Sequence, residues 1–154
     1  MRRIATAIFA LLLSTGCKTL IVPEQPPIGN DTWALTMTSI YKVASHLGHN
    51  VTYYPKEGYG MYRVYLKIAN KTSAKQTFDF SGCYLASGKR KWGVYIVDMD
   101  KAINVAVTDK KSNLSANETV TRILIINFPD GKRFDTFACS QVGEIPIPET
   151  QPST

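Results

Sequence analysis

Between Trp33 and Cys139 the apolar residues fall into seven short runs, most with a period of two, and that pattern points to an antiparallel β fold. Met61–Ala69 shows the period most plainly: Val64, Leu66 and Ile68 share one face, and Arg63, Tyr65 and Lys67 the other. Trp33–Val43 offers Trp33, Leu35, Met37 and Ile40 to an interior, and Thr77–Leu85 offers Phe78 and Phe80 around Asp79. Lys91–Val97 carries Trp92, Val94 and Ile96; Ala102–Val107 keeps Ile103, Val105 and Val107 in step; Arg133–Cys139 closes the series. Val120–Phe128 is almost continuously apolar, which suits a central strand covered on both faces. Turn residues separate the runs at Asn70-Lys71-Thr72-Ser73, Ser87-Gly88-Lys89, Ser112 to Asn117 and Pro129-Asp130-Gly131. The expected architecture is all-β, an antiparallel sandwich of about seven strands over residues 32–142. Ser39–Tyr59 is the least patterned stretch and has room for a turn of helix.

The amino terminus reads as an address. Arg2 and Arg3 precede an apolar stretch from Ile4 to Leu13, and Ser14, Thr15 and Gly16 are small, so residues 1–16 fit a cleaved export signal. The apolar stretch is shorter than the about 20 residues a membrane span needs. Leu12-Leu13-Ser14-Thr15-Gly16-Cys17 resembles the lipobox of bacterial lipoproteins, although Leu13 stands four residues before Cys17 and Ser14 three before it. The resemblance implies a diacylglyceryl group on the Cys17 thiol and cleavage that leaves Cys17 first. At about 0.8 kcal/mol per buried methylene, two acyl chains hold firmly where one holds marginally. The implied partner is a lipid bilayer and the implied location the bacterial cell envelope. Lys18 stands where the enteric sorting rule reads Asp as an inner-membrane signal, which implies the outer membrane. Residues 17–31, with Pro23, Pro26, Pro27, Gly29 and Asn30, are expected to form a flexible tether, and residues 143–154, with Pro146, Pro148 and Pro152, a disordered tail.

With Cys17 assigned to lipid, Cys83 and Cys139 remain as one even pair. In an oxidising compartment a disulfide is the default, and two buried free thiols are the alternative. Hydrophobic residues make up 44% of the 154, enough for a packed core. Without the signal the balance is 16 basic against 12 acidic residues, spread along the chain as ordinary surface charge, so no nucleic-acid partner is expected. The run Lys89-Arg90-Lys91 fits a solvated hairpin tip.

Chemistry is sparse. There is no Gly-rich phosphate loop, Gly-x-Ser-x-Gly elbow or Cys-x-x-Cys. His46 and His49 could pair on a metal if helical, but beside Gly48 and Asn50 they read as solvated loop residues. Asp98 and Asp100 flank Met99 after a strand and are expected to face water, and Asp109 is a distant third oxygen donor for calcium. No catalytic residue, metal or cofactor is therefore expected, and the chain reads as a non-enzyme. Tyr53, Tyr54, Tyr59 and Tyr62 gather around a Gly-containing connection, where they either cover a sandwich edge or form a recognition loop.

Four segments carry a further likeness: Val64-Tyr65-Leu66-Lys67-Ile68-Ala69-Asn70-Lys71-Thr72, Phe78-Asp79-Phe80-Ser81-Gly82-Cys83-Tyr84-Leu85, Asn113-Leu114-Ser115-Ala116-Asn117-Glu118-Thr119-Val120 and Leu124-Ile125-Ile126-Asn127-Phe128-Pro129. Together they resemble the immunoglobulin-like (telokin-like) extracellular β-sandwich domain of uncharacterised bacterial lipoproteins, with Ala116-Asn117-Glu118 where that family usually has Pro-Gly-Glu. The resemblance implies fold and says little of activity. The expected role is a membrane-anchored, non-enzymatic binding or structural module with a protein or polysaccharide ligand. The alternative is a small periplasmic enzyme inhibitor, assembly accessory or strand-accepting chaperone.

Overall fold

The computed structural model describes residues 18–48, 51–99, 106–107 and 109–149. Along them run β1 (Lys18–Val22), β2 (Ile28–Gly29), β3 (Trp33–Val43), β4 (His46–Gly48), β5 (Val51–Tyr53) and β6 (Tyr59–Asn70). Then come β7 (Gln76–Asp79), a 3-10 turn (Phe80–Gly82), β8 (Cys83–Ser87), β9 (Arg90–Gly93) and β10 (Ile96–Met99). The remainder is β11 (Ala106–Val107), β12 (Lys111–Leu114), β13 (Thr119–Pro129), β14 (Thr136–Cys139) and β15 (Gly143–Pro146). No helix among the described residues is long and apolar enough to cross a membrane.

One sheet runs β1-β3-β6-β13-β10-β11, with β2 also on β3; the second runs β15-β14-β8-β9; β7 pairs with β12, and β4 with β5. Every pairing is antiparallel. The central order β3-β6-β13-β10 facing β15-β14-β8 is the A-B-E-D and G-F-C order of the immunoglobulin sandwich, with β9 in the C′ place. The core lies between the layers: Leu35, Val64, Leu66, Ile68, Leu124, Ile126 and Phe128 from the first sheet meet Leu85, Phe137 and Ile145 from the second. A bulge between Met37 and Ser39 shifts the parity of β3, so Trp33, Leu35, Met37 and then Ile40 all face inward. β13 is covered on both sides as its composition predicts, with Leu124 and Ile126 in the main core and Ile123 and Ile125 in a second cluster.

Cys83 and Cys139 stand opposite each other in β8 and β14 and form a disulfide, fully buried in the core. It joins neighbouring strands of one sheet, whereas in antibody domains the bridge crosses between sheets. At the far end of β6, buried Asn70 donates from Nδ2 to the carbonyls of Ala74 and Ser115, each 2.8 Å away, and its Oδ1 accepts from the Thr72 amide and hydroxyl. The neighbouring turn places Asn117 at φ 57, a left-handed position that asparagine tolerates. There the Ser115 amide donates to Glu118 Oε2 at 2.6 Å.

Several expectations need correction. Residues 18–29 are not a loose tether, because Lys18–Val22 pairs along β3 and buries Ile21 and Val22; the prolines sit in the bend between β1 and β2. The tail likewise begins in β15, and Ile145 and Ile147 are buried. Pro146 is tolerated since β15 is an edge strand, where a missing N–H leaves no partner short. Thr77–Leu85 is not one strand: Asp79 Oδ1 accepts from the Ser81 amide at 2.9 Å and starts the 3-10 turn. Lys91–Val97 breaks at Val94–Tyr95, where the chain passes from the second sheet to the first. β14 starts at Thr136, three residues later than expected. Ser39–Tyr59 holds a hairpin rather than a helical turn. Of Ala102–Val107, only the last two residues lie among those described, and residues 1–17 and 150–154 lie outside them.

Candidate functional site

The first sheet has a second buried face. Val43, Met61, Ile123 and Ile125 point away from the main core and are packed by Tyr41, Tyr53, Tyr65 and Ile96. The hairpin arm β4–β5 lies over this face, held at three points. Arg63, on the outer side of β6, donates from Nη2 to the Ser45 carbonyl at 3.0 Å. His46 brings Nε2 within 2.9 Å of Asp98 Oδ2 on β10. Tyr53 stacks on His46 with ring centroids 6.4 Å apart and meets Tyr95 edge-on at 6.1 Å.

His46 and Asp98 are only 3% and 7% exposed, which corrects the expectation that both face water. The hairpin register pairs His46 with Tyr53 on the inward side and Leu47 with Thr52 on the outward side. The arm thus turns its histidine in and its leucine out, the reverse of ordinary amphipathic patterning. The imidazole and the Asp98 carboxylate are in direct contact at 2.9 Å, with neither ring nitrogen in aligned hydrogen-bond geometry among the described residues. Burial first, and the nearby Arg63 guanidinium second, push the His46 pKa below its ordinary value, against the opposing pull of Asp98.

The sign follows from linkage. A histidine whose pKa is depressed by closure stabilises the closed form above about pH 6.5, and that contribution is lost as pH falls through the depressed value. Hydrogen exchange of arm amides, corrected for intrinsic rates, should show more frequent opening at pH 5 than at pH 7.5. His46→Gln should flatten the difference. Equal opening at both pH values would rule His46 out as the responsible group.

The four tyrosines do not form one surface. Tyr54 is exposed, Tyr53 is half-buried on His46, and Tyr59 is half-buried at the start of β6 with the Lys56 ammonium 5.7 Å from its ring. Tyr62 is a correction: the period of β6 sets it in the main core, edge-on to Phe128 and Phe134. Lys89, Arg90 and Lys91 are exposed at the β8–β9 tip, as expected. Asp109 caps the Lys111 amide at 2.9 Å, and no cluster of three metal-ligating side chains occurs among the described residues. Cys17, His49 and Asp100 lie outside them.

The sequence missed a groove. Gln25, Pro26 and Ile28, from the β1–β2 connection, face Ile145, Pro146, Ile147 and Pro148 at the edge of the second sheet, around about 450 Å³. Both walls come from segments expected to be unstructured. The signal was the alternation of Ile145 and Ile147 with prolines, a buried edge strand in a Pro-rich context.

No family model matches the sequence, and no curated protein matches it. Two solved structures do. An uncharacterised β-sandwich protein from Clostridium difficile 630 aligns at TM-score 0.53 and 14% identity, over 77% of this chain and 86% of that one. A functionally unknown protein from Listeria monocytogenes EGD-e aligns at TM-score 0.53 and 11% identity, over 87% and 89%. At such identity the likeness is one of fold alone: this chain shares the β-sandwich of both.

Proposed function

We propose that the chain is a lipid-anchored module of the bacterial envelope that binds rather than transforms its ligand, and that the ligand is a protein segment held in the groove. The observation that carries this reading is the groove's lining. Its volume falls in the range of natural ligand sites, and Gln25 supplies its one polar side chain. A polysaccharide would need ring faces and several hydrogen-bonding groups, and among the described residues no aromatic side chain lines the groove. An extended apolar or Pro-rich peptide suits it better. Pro146 and Pro148 blunt the edge of β15, which disfavours the chaperone alternative of strand addition there.

Anchoring rests on the lipobox resemblance at Cys17. Intact-mass spectrometry of the native protein should show a mature chain starting at Cys17 with added fatty-acyl mass. For the groove, peptides selected by display against the lipidated protein should be apolar and extended. Pro26→Asp with Pro148→Asp, both at exposed positions, should weaken their binding at least tenfold, about 1.4 kcal/mol. Selected peptides that bind the double variant unchanged would remove the groove as the site.

A further inference from the structure

We propose that the outward side of the hairpin arm rests on the bilayer that carries Cys17, so that the sandwich is held at a fixed orientation on the membrane. This rests on the reading that Cys17 is acylated. The starting point is register. Lys18 pairs with Val43 at the end of β3, and Tyr59 at the start of β6 pairs with Pro129 at the end of β13. One end of the first sheet therefore carries the residue next to Cys17, both roots of the arm and the 54–58 connection. Leu47 is close to the anchor by covalent arithmetic. One residue step, one cross-strand step and four further residues bring it within roughly 23 Å of Cys17 at full stretch.

That end is where large apolar side chains are left in water. Leu47, on the outward side, is 65% exposed and Tyr54, just past β5, 70%; Val51, on the side of Tyr53, is 51% exposed. Exposed Tyr95 meets Tyr53 on the arm's inward side, and exposed Leu20 lies opposite Tyr41 on the sheet face that the arm overlies. Lysines edge the same end: the Lys18 ammonium sits 3.7 Å from the Tyr41 ring centroid and 4.8 Å from that of Tyr65. Lys56 reaches Tyr59. Aliphatic tips, tyrosines and lysines at one end of the sheet are the composition of a headgroup boundary, where aromatic rings and long ammonium stems each satisfy both phases. The reversed patterning of the arm gains a reason: Leu47 faces out because lipid, not protein, covers it.

The test uses the mature lipidated protein in vesicles of phosphatidylethanolamine and phosphatidylglycerol, with or without bromine on the acyl chains near the headgroup. Leu47→Trp and Thr52→Trp each add a fluorophore at an exposed site on the outward side, while native Trp33 and Trp92 are buried and half-buried. Lys75→Trp, in the exposed turn after the far end of β6, is the control. A side chain at the boundary lies about 5–10 Å deep, so bromine should quench the added emission of the arm variants roughly twofold and leave Lys75→Trp unchanged. If the protein carries acyl mass and floats with the vesicles but the arm variants are not quenched, the arm faces water, a second copy or another protein, and the proposal fails while the anchor stands. Equal quenching of Lys75→Trp overturns the orientation. A mass without acyl chains removes the anchored reading, and this one with it.

Discussion

Replacing Cys83 and Cys139 together by alanine is expected to lower the unfolding free energy by about 4 kcal/mol, the loop-entropy contribution of a bridge closing 56 residues. The two sheets explain why so much depends on one bond. β6 and β13 pair over eleven residues, whereas β8 and β14 pair over four. The second sheet has little ladder of its own, and the disulfide ties its two central strands. Both sulfurs are buried, so alanine also leaves small cavities that add to the loss. The midpoint of thermal unfolding should fall by about 12 °C at the usual few degrees per kcal/mol for a domain of this size. Urea titration of the oxidised protein and the double variant measures the difference directly. A loss below about 1 kcal/mol would mean that the second sheet is held by packing alone.

Asn70→Ala is expected to cost about 3 kcal/mol, a large effect for a single side chain. Its side-chain amide reaches from the end of β6 to both adjoining turns. Without it the Ala74 and Ser115 carbonyls each lose a donor and the Thr72 amide loses its acceptor, around a side chain that is itself buried. Asn70→Asp tests the donor role, because a carboxylate would face the Ala74 and Ser115 carbonyls and repel them. It should be at least as damaging as alanine. Chemical denaturation reads both, and an alanine variant within about 1 kcal/mol of the parent would show that water replaces the network.

The strands that build the core were legible because period and burial coincide in them. Val64, Leu66 and Ile68 alternate in the sequence and all are fully buried. Ile40 was also legible, although the bulge that turns it inward leaves no mark in composition. What could not be read were places where local chemistry runs against its surroundings. Ile21, Val22, Ile145 and Ile147 belong to the core, but neighbouring prolines give their segments the composition of linkers. The arm inverts the usual rule, with His46 buried and Leu47 exposed, so a reading from polarity sends both the wrong way. Tyr62 looked like part of a surface cluster because its neighbours in sequence are tyrosines, while the strand period assigns it to Phe128 and Phe134. The cysteine pair was legible as a pair; that it lies within one sheet is a matter of topology.

Residues 18–29 follow β3 from its last residue back to Ala34, through β1, the Gln25 amide bonded to the Met37 carbonyl, and β2. This has a mechanical consequence. Tension between residue 17 and anything seated beside Ile28 is directed along these strands, so the ladder is sheared and its hydrogen bonds resist together. A strand pulled sideways would instead unzip one bond at a time. The segment that looked like slack rope is a stiff mount.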